Sequence, residues 1–180
     1  HQDGELWQGQ NKIHIHLKQE LMHRVQGNKD TARIECVNPV KNKWRIRWDY
    51  QLRQDGTTDF MEAEFTHKPS VQEVRALVIQ WYNDLTDRRI LSGFSFEGST
   101  VWLSAENQIN YKAAFDLAVQ TNGASLPVTI KLGTDDKPVY RVFTQLEDLR
   151  AFYTSALSYI QQTIADGWKL KDDFNSDDYK

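Results

Sequence analysis

The sequence is 180 residues long, enough for one domain or two small ones, and its 39% hydrophobic, 26% charged composition belongs to the globular class, not the disordered or fibrous ones. Its 22 basic and 25 acidic side chains are interspersed and leave a formal net charge of -3, so no sequence-wide field collects phosphates or an anionic membrane, and nucleic acid is disfavoured as a partner. The single cysteine, Cys36, cannot close an intramolecular disulfide, which suits a reducing compartment and excludes a stapled secreted fold, and nothing approaches the roughly 18 uninterrupted apolar residues of a spanning helix.

The chain begins with His1, not methionine, which leaves a trimmed N-terminus or a lost targeting segment open. Residues 1–30 read as a polar arm. Ile13 and Ile15 alternate like a strand, whereas Leu17, Leu21, Met22 and Val25 are spaced like one face of a helix, so the arm is expected to end in a helix and to pack on a neighbouring subunit or partner.

From Ala32 a sheet is expected. Arg33 to Val37 is one strand, and in the next Trp44, Ile46, Trp48 and Tyr50 fall on one face while Arg45, Arg47 and Asp49 fall on the other. Asp55-Gly56 supplies the hairpin turn, and Phe60 to Phe65 returns. Ser70 followed by Glu73 is a capping box, and Val71, Val74, Val78, Trp81 and Leu85 recur at helical spacing up to Arg89, where Gly93 closes the helix. A second hairpin turns at Glu97-Gly98, Ser104 caps a helix running to about Thr121, and Asn122-Gly123 stops it.

The last third repeats the earlier order. Leu126 to Leu132 and Val139 to Phe143 form a hairpin, Thr144 and Glu147 suggest a capping box, and a long helix carries Leu149, Phe152, Tyr153, Ala156, Tyr159, Ile160 and Ile164 to a stop near Gly167. The recurrence is either an internal duplication or two uses of a common unit. The result is an α+β fold of antiparallel hairpins each followed by an amphipathic helix, a two-layer sandwich, as one body or as two small lobes. Its divisions are an arm at 1–30, a hairpin-plus-helix lobe at 31–92, an α+β lobe at 93–168, and an acidic tail at 169–180, expected to be mobile, with Asp172, Asp173, Asp177 and Asp178.

Few residues suggest chemistry. His14 and His16, with Glu20 and His23, have a spacing that metals use, but polar arms collect histidines by chance and no second cluster converges on them. Cys36 inside an apolar strand reads as a small buried hydrophobe, no nucleophile elbow or glycine-rich phosphate loop is present, and the pairs Glu62/Glu64 and Asp135/Asp136 follow from strand alternation and turn chemistry. No catalytic residue, metal or cofactor is assigned. Arg45 and Arg47 beside tryptophans hint at nucleic acid, but Asp49, Glu62 and Glu64 oppose phosphate. The tryptophans mostly suit a core; Trp7 and Trp168, with Ile15 and Leu17 of the arm, are the interface candidates.

Phe96-Glu97-Gly98, Val101-Trp102-Leu103-Ser104-Ala105-Glu106-Asn107-Gln108, Asn110-Tyr111-Lys112-Ala113-Ala114, Leu126-Pro127-Val128, Lys131-Leu132-Gly133 and the helix ending at Gly167-Trp168 resemble a domain-of-unknown-function family of tailed phages and prophages. That family occurs at the C-terminal end of tail and tail-fibre-associated proteins, and the hairpin at 43–65 with its helix is similar to sequences of Bacteroides-type prophages. The resemblance brings no catalytic residues. It implies a non-enzymatic bacteriophage structural protein of the virion, or of the host cytoplasm during assembly, with other virion or tail proteins and further copies of itself as partners. An intracellular accessory protein and a small-ligand or glycan-binding module are the alternatives; the first would be absent from particles, and the second requires a concave site with converging polar groups.

Overall fold

Asp55 and Gly56 set the geometry of the longest hairpin in the computed structural model, which describes residues 22–180. Gly56 adopts φ +84°, and the Asp55 carboxylate accepts hydrogen bonds from the Thr57 amide (3.0 Å) and hydroxyl (2.6 Å). The turn joins β3 (Lys43–Leu52) to β4 (Thr58–Phe65), and with β1 (His23–Gly27) and β2 (Ile34–Asn38) they make an antiparallel sheet in the order β1-β4-β3-β2. The pairs Trp44↔Phe65, Ile46↔Ala63 and Trp48↔Met61 share one face, and Ile46, Trp48, Met61, Ala63 and Phe65 on it are buried. This sheet belongs to the first of two units, residues 22–78 together with Phe174–Lys180; the second is Ile79–Asp173.

Two expectations fail in the four-stranded sheet. The helix expected to end the arm is instead β1 over its described part, because Val25 lies opposite Phe60 and β4 supplies backbone partners that a short polar helix lacks; Leu17 and Leu21 lie outside the described residues. The second failure is Tyr50. The pairing slips between Trp48 and Gln51, with Asp49 at φ +57°, a conformation aspartate tolerates better than most side chains. Tyr50 therefore leaves the Trp48 face and lies 4.9 Å from the Phe60 ring, its hydroxyl donating to the Thr31 carbonyl at 2.8 Å.

Helix α1 (Val71–Ser92) starts on the expected capping box: Glu73 N donates to Ser70 Oγ at 3.1 Å, and Ser70 N to Glu73 Oε1 at 3.3 Å. A hydrogen bond from His67 and the Ser70 amide hold the Glu73 carboxyl below its ordinary pKa. Val74 and Val78 are buried in the helix's first two turns, and the chain passes into the second unit within the helix.

In that second unit, Glu97 (φ +50°) and Gly98 (φ +80°) form the two-residue turn between β5 (Phe94–Phe96) and β6 (Ser99–Val101). Ser104 caps α2 (Ala105–Gln120) by accepting from Asn107 N at 3.1 Å, and Asn122 (φ +53°) with Gly123 (φ +87°) ends it, Gly123 N donating back to Ala118 O. Strands β7 (Val128–Gly133) and β8 (Pro138–Phe143) pair, and α3 (Leu146–Asp172) follows. The core gathers Val101, Leu103, Tyr111, Ile130, Phe143 and Phe152. The tryptophans contribute less than expected: among the described ones only Trp48, in the first unit, is buried, while Trp102 and Trp168 are half exposed or more.

The expected α+β class, hairpins each followed by a helix, is what the chain adopts. Two details of α3 differ. Its N-cap is Gln145, with no side-chain hydrogen bond, so Thr144 stands one residue too early to form a capping box with Glu147. Nor does Gly167 stop the helix, which continues to Asp172. A Cβ on Gly167 would overlap the Thr86 hydroxyl of α1, so this glycine permits close approach of two helices. Helix propensity favours Gly167→Ala by about 1 kcal/mol, but overpacking costs about 1–3 kcal/mol, so net destabilisation is expected by chemical denaturation. Adding Thr86→Ala should reverse it, and a non-additive double-mutant cycle is the check.

The acidic tail, expected to be mobile, is folded. Lys169–Asp172 complete α3, and Ser176–Tyr179 form a 3-10 turn in the first unit in which Tyr179 is 4% exposed. The Tyr179 hydroxyl donates to Arg47 O at 2.6 Å, and its ring stacks on Phe174 at 5.4 Å. An aromatic at each end of the polar run was the signal passed over. Burial pushes the pKa of the Tyr179 phenol well above its ordinary value. With a raised folded-state pKa, the associated stability is complete below about pH 10, the unfolded value, and declines as pH rises above it. A pH titration of stability should show that alkaline loss, and Tyr179→Phe should shallow it.

Candidate functional site

Helices α2 and α3 of the second unit present matching rows to one another. Ala105, Gln108, Ile109 and Lys112 occupy positions i, i+3, i+4 and i+7 of α2, and Tyr153, Ala156, Leu157 and Ile160 repeat the spacing on α3. Because Ala105 and Ala156 are short, the rows leave a half-open groove of about 340 Å³ between them, with Leu103 and Tyr111 also in its lining. Ile109 is 68% exposed and Leu157 40%, whereas Leu103 is 1% exposed, so the groove has exposed apolar rims and a buried floor.

Its polar groups are few. Lys112 is paired with Asp116, whose hydrogen bond and charge raise the lysine pKa, so the rim carries a neutralised pair. Gln108 Nε2 donates to Leu103 O at 2.9 Å. Tyr153 stacks on Phe115 at 4.9 Å, and the Arg150 guanidinium lies 5.3 Å from the Phe115 ring. Tyr111 is 7% exposed, and burial raises the pKa of its phenol. The lining is mostly apolar, with Gln108, Tyr111, Lys112 and Tyr153 supplying its polar groups.

The residues singled out from sequence fare unevenly. Trp7, Ile15 and Leu17 lie outside the described residues, as do His14, His16 and Glu20. Trp168 is 59% exposed on α3 but does not line the groove. His23 sits on β1 with Nε2 3.9 Å from Glu62, and among the described residues no group of three His, Cys, Asp or Glu side chains could hold a metal. Cys36 is partly exposed on β2 opposite Trp44. Asp135 pairs with Lys131 at 3.2 Å.

Arg47, expected on the face opposite the tryptophans, is on it but buried. Its Nε donates to Glu62 Oε2 at 2.8 Å, and its Nη1 to Glu35 Oε2 and Ala32 O, each at 2.8 Å. Burial opposes the charge, but the hydrogen bonds to Glu62 and Glu35 outweigh it and keep the Arg47 pKa above its ordinary value. Arg45 lies 3.7 Å from Glu62 and 3.8 Å from Glu64, so carboxylates engage both arginines that hinted at nucleic acid.

The groove itself was missed. Tyr153, Ala156 and Ile160 were read as the core face of α3, and the available signal was Ile109, an apolar residue between Gln108 and Asn110 that breaks the polar face of α2. Residues 73–180, more than half of the chain and including the whole groove, match the model of a family described as a domain of unknown function (DUF4376). No curated protein and no solved structure matches. Among the described residues no helix is long and apolar enough to cross a membrane.

Proposed function

We propose that this chain, which belongs to the DUF4376 family of domains of unknown function, is a non-enzymatic bacteriophage structural protein associated with the tail or tail fibre. It works through protein–protein contacts, in several copies within a particle, and resides in the virion or, during assembly, in the host cytoplasm. The α2/α3 groove seats an apolar helical segment of a neighbouring virion protein. The observation that carries this reading is the pair of helical rows with exposed Ile109 and Leu157 at the rim and Ala105 and Ala156 leaving room between them, a shape that accepts side chains at i, i+3, i+4 and i+7. The phage setting is supported by the aromatic, turn and cap residues from Phe94 to Trp168 that resemble tail-associated sequences.

Particles purified from the native source should carry the chain at a fixed ratio to the major capsid protein by mass spectrometry. The double variant Ile109→Asp/Leu157→Asp should be lost from particles while its denaturation midpoint stays close to the parent's, since surface substitutions usually change stability by no more than about 0.5 kcal/mol. Absence of the parent chain from particles would overturn the virion reading in favour of an intracellular accessory role; incorporation of the double variant would overturn the groove as the contact.

One observation favours a second reading, a small-ligand or glycan-binding module. The groove's volume of about 340 Å³ falls in the range of small-molecule sites, and the buried Tyr111 ring in its lining carries a polar phenol. A glycan panel screened by thermal shift would support this reading if a hit disappears with Tyr111→Phe, and a blank panel would count against it.

A further inference from the structure

The C-terminal turn rests in a cradle of complementary chemistry within the first unit. Arg33 Nε lies 3.5 Å from Asp178 Oδ2, and the same guanidinium lies 4.2 Å from the centre of the Tyr50 ring. The Tyr179 hydroxyl takes Arg47 O at 2.6 Å, and Arg75 lies 5.9 Å from the Phe174 ring. A short acidic peptide with two aromatic residues is thus held by the guanidinium groups of Arg33 and Arg75 and by the Arg47 carbonyl. Tyr179 is buried and Phe174 partly so, and tyrosine and arginine are enriched at the energetic centres of interfaces. The family match contains Phe174, Tyr179 and Arg75 but begins after Arg33, Arg47 and Tyr50, so the peptide and most of its receptor lie in different parts of the sequence.

We propose that this cradle is an intermolecular recognition site whose partner is a second copy of the chain, the C-terminal peptide of one copy occupying the cradle of the next. Exchange makes the same contacts in trans as in cis, so its equilibrium is set by concentration. In dilute solution the tethered peptide wins, and at the local concentrations of an assembly the neighbour's peptide competes with it. Exchange in one direction is head-to-tail, which generates rings or filaments. The proposal does not rest on the groove or on the phage setting.

Complementation between full-length variants tests it. Arg33→Asp damages the cradle and leaves the peptide intact; Tyr179→Ala damages the peptide and leaves the cradle intact. Each alone should sediment as a monomer, and an equimolar mixture should form a heterodimer whose fraction rises with concentration. A fluorescent peptide of residues 172–180 should bind the Tyr179→Ala chain, bind the parent far more weakly, and lose binding when its own Tyr179 is replaced by alanine. Should Tyr179→Ala not fold, Asp178→Arg, which sets two positive charges together, replaces it in both assays. A mixture that sediments as the sum of two monomers at every concentration, or a peptide that no folded variant binds, would overturn the proposal.

Discussion

Phe152→Ala is expected to destabilise the protein by about 3–5 kcal/mol, the cost of removing a fully buried aromatic ring and leaving its cavity. Phe152 is 0% exposed, and its ring centre lies 5.1 Å from Phe96, 5.1 Å from Tyr111 and 5.5 Å from Phe143, contributions of three separate elements. Edge-to-face pairs of this kind add about 0.5–1.5 kcal/mol each beyond buried area, so few core positions stand to lose more. Phe152→Leu should recover part of the loss. Leu157→Ala, one turn further along the same helix and 40% exposed, should cost well under half as much. Urea denaturation followed by near-ultraviolet circular dichroism measures all three. Comparable losses for Phe152→Ala and Leu157→Ala would mean that the groove is filled and belongs to the core.

The second large effect is expected at the buried ion pair of the four-stranded sheet. The Arg47 and Glu62 side chains are 6% and 10% exposed, so removing one charge strands the other where water cannot compensate it. Glu62→Ala should therefore cost about 3–5 kcal/mol, moderated by the bond Arg47 keeps to Glu35. The double variant Arg47→Met/Glu62→Leu should recover most of that loss, because both desolvation costs vanish together. Single and double variants in guanidinium unfolding curves give the coupling. If the double variant is as unstable as the sum of the singles, the pair is not a unit, and hydrogen bonding to Ala32 and Glu35 explains the burial of Arg47 instead.

What the sequence made legible is what local chemistry determines. Ser70 with Glu73, Ser104, Asp55-Gly56, Glu97-Gly98 and Asn122-Gly123 each act within a few residues, and each behaves as its type dictates. Tyr50 was misplaced because a bulge depends on the register of β4, information held about ten residues away. Gly167 was misread because a glycine that stops a helix and one that lets a second helix approach look alike until Thr86 is in place. The groove was illegible for a related reason. Periodicity reports that Tyr153, Ala156 and Ile160 share a face, but not that two alanines on opposed helices leave that face partly unfilled. The tail shows the converse, where acidic composition concealed two aromatics, one of which, Tyr179, has its partner Arg47 more than a hundred positions earlier.

The second unit, Ile79–Asp173, is an insertion into the first, which holds both residue 22 and residue 180. Tension applied between those two points would therefore load the anchor at Tyr179 and the strands beside it before any strain entered the inserted helices. The seven-residue segment Phe174–Lys180 is thus the clasp that closes the first unit, on the sequence side opposite edge strand β1.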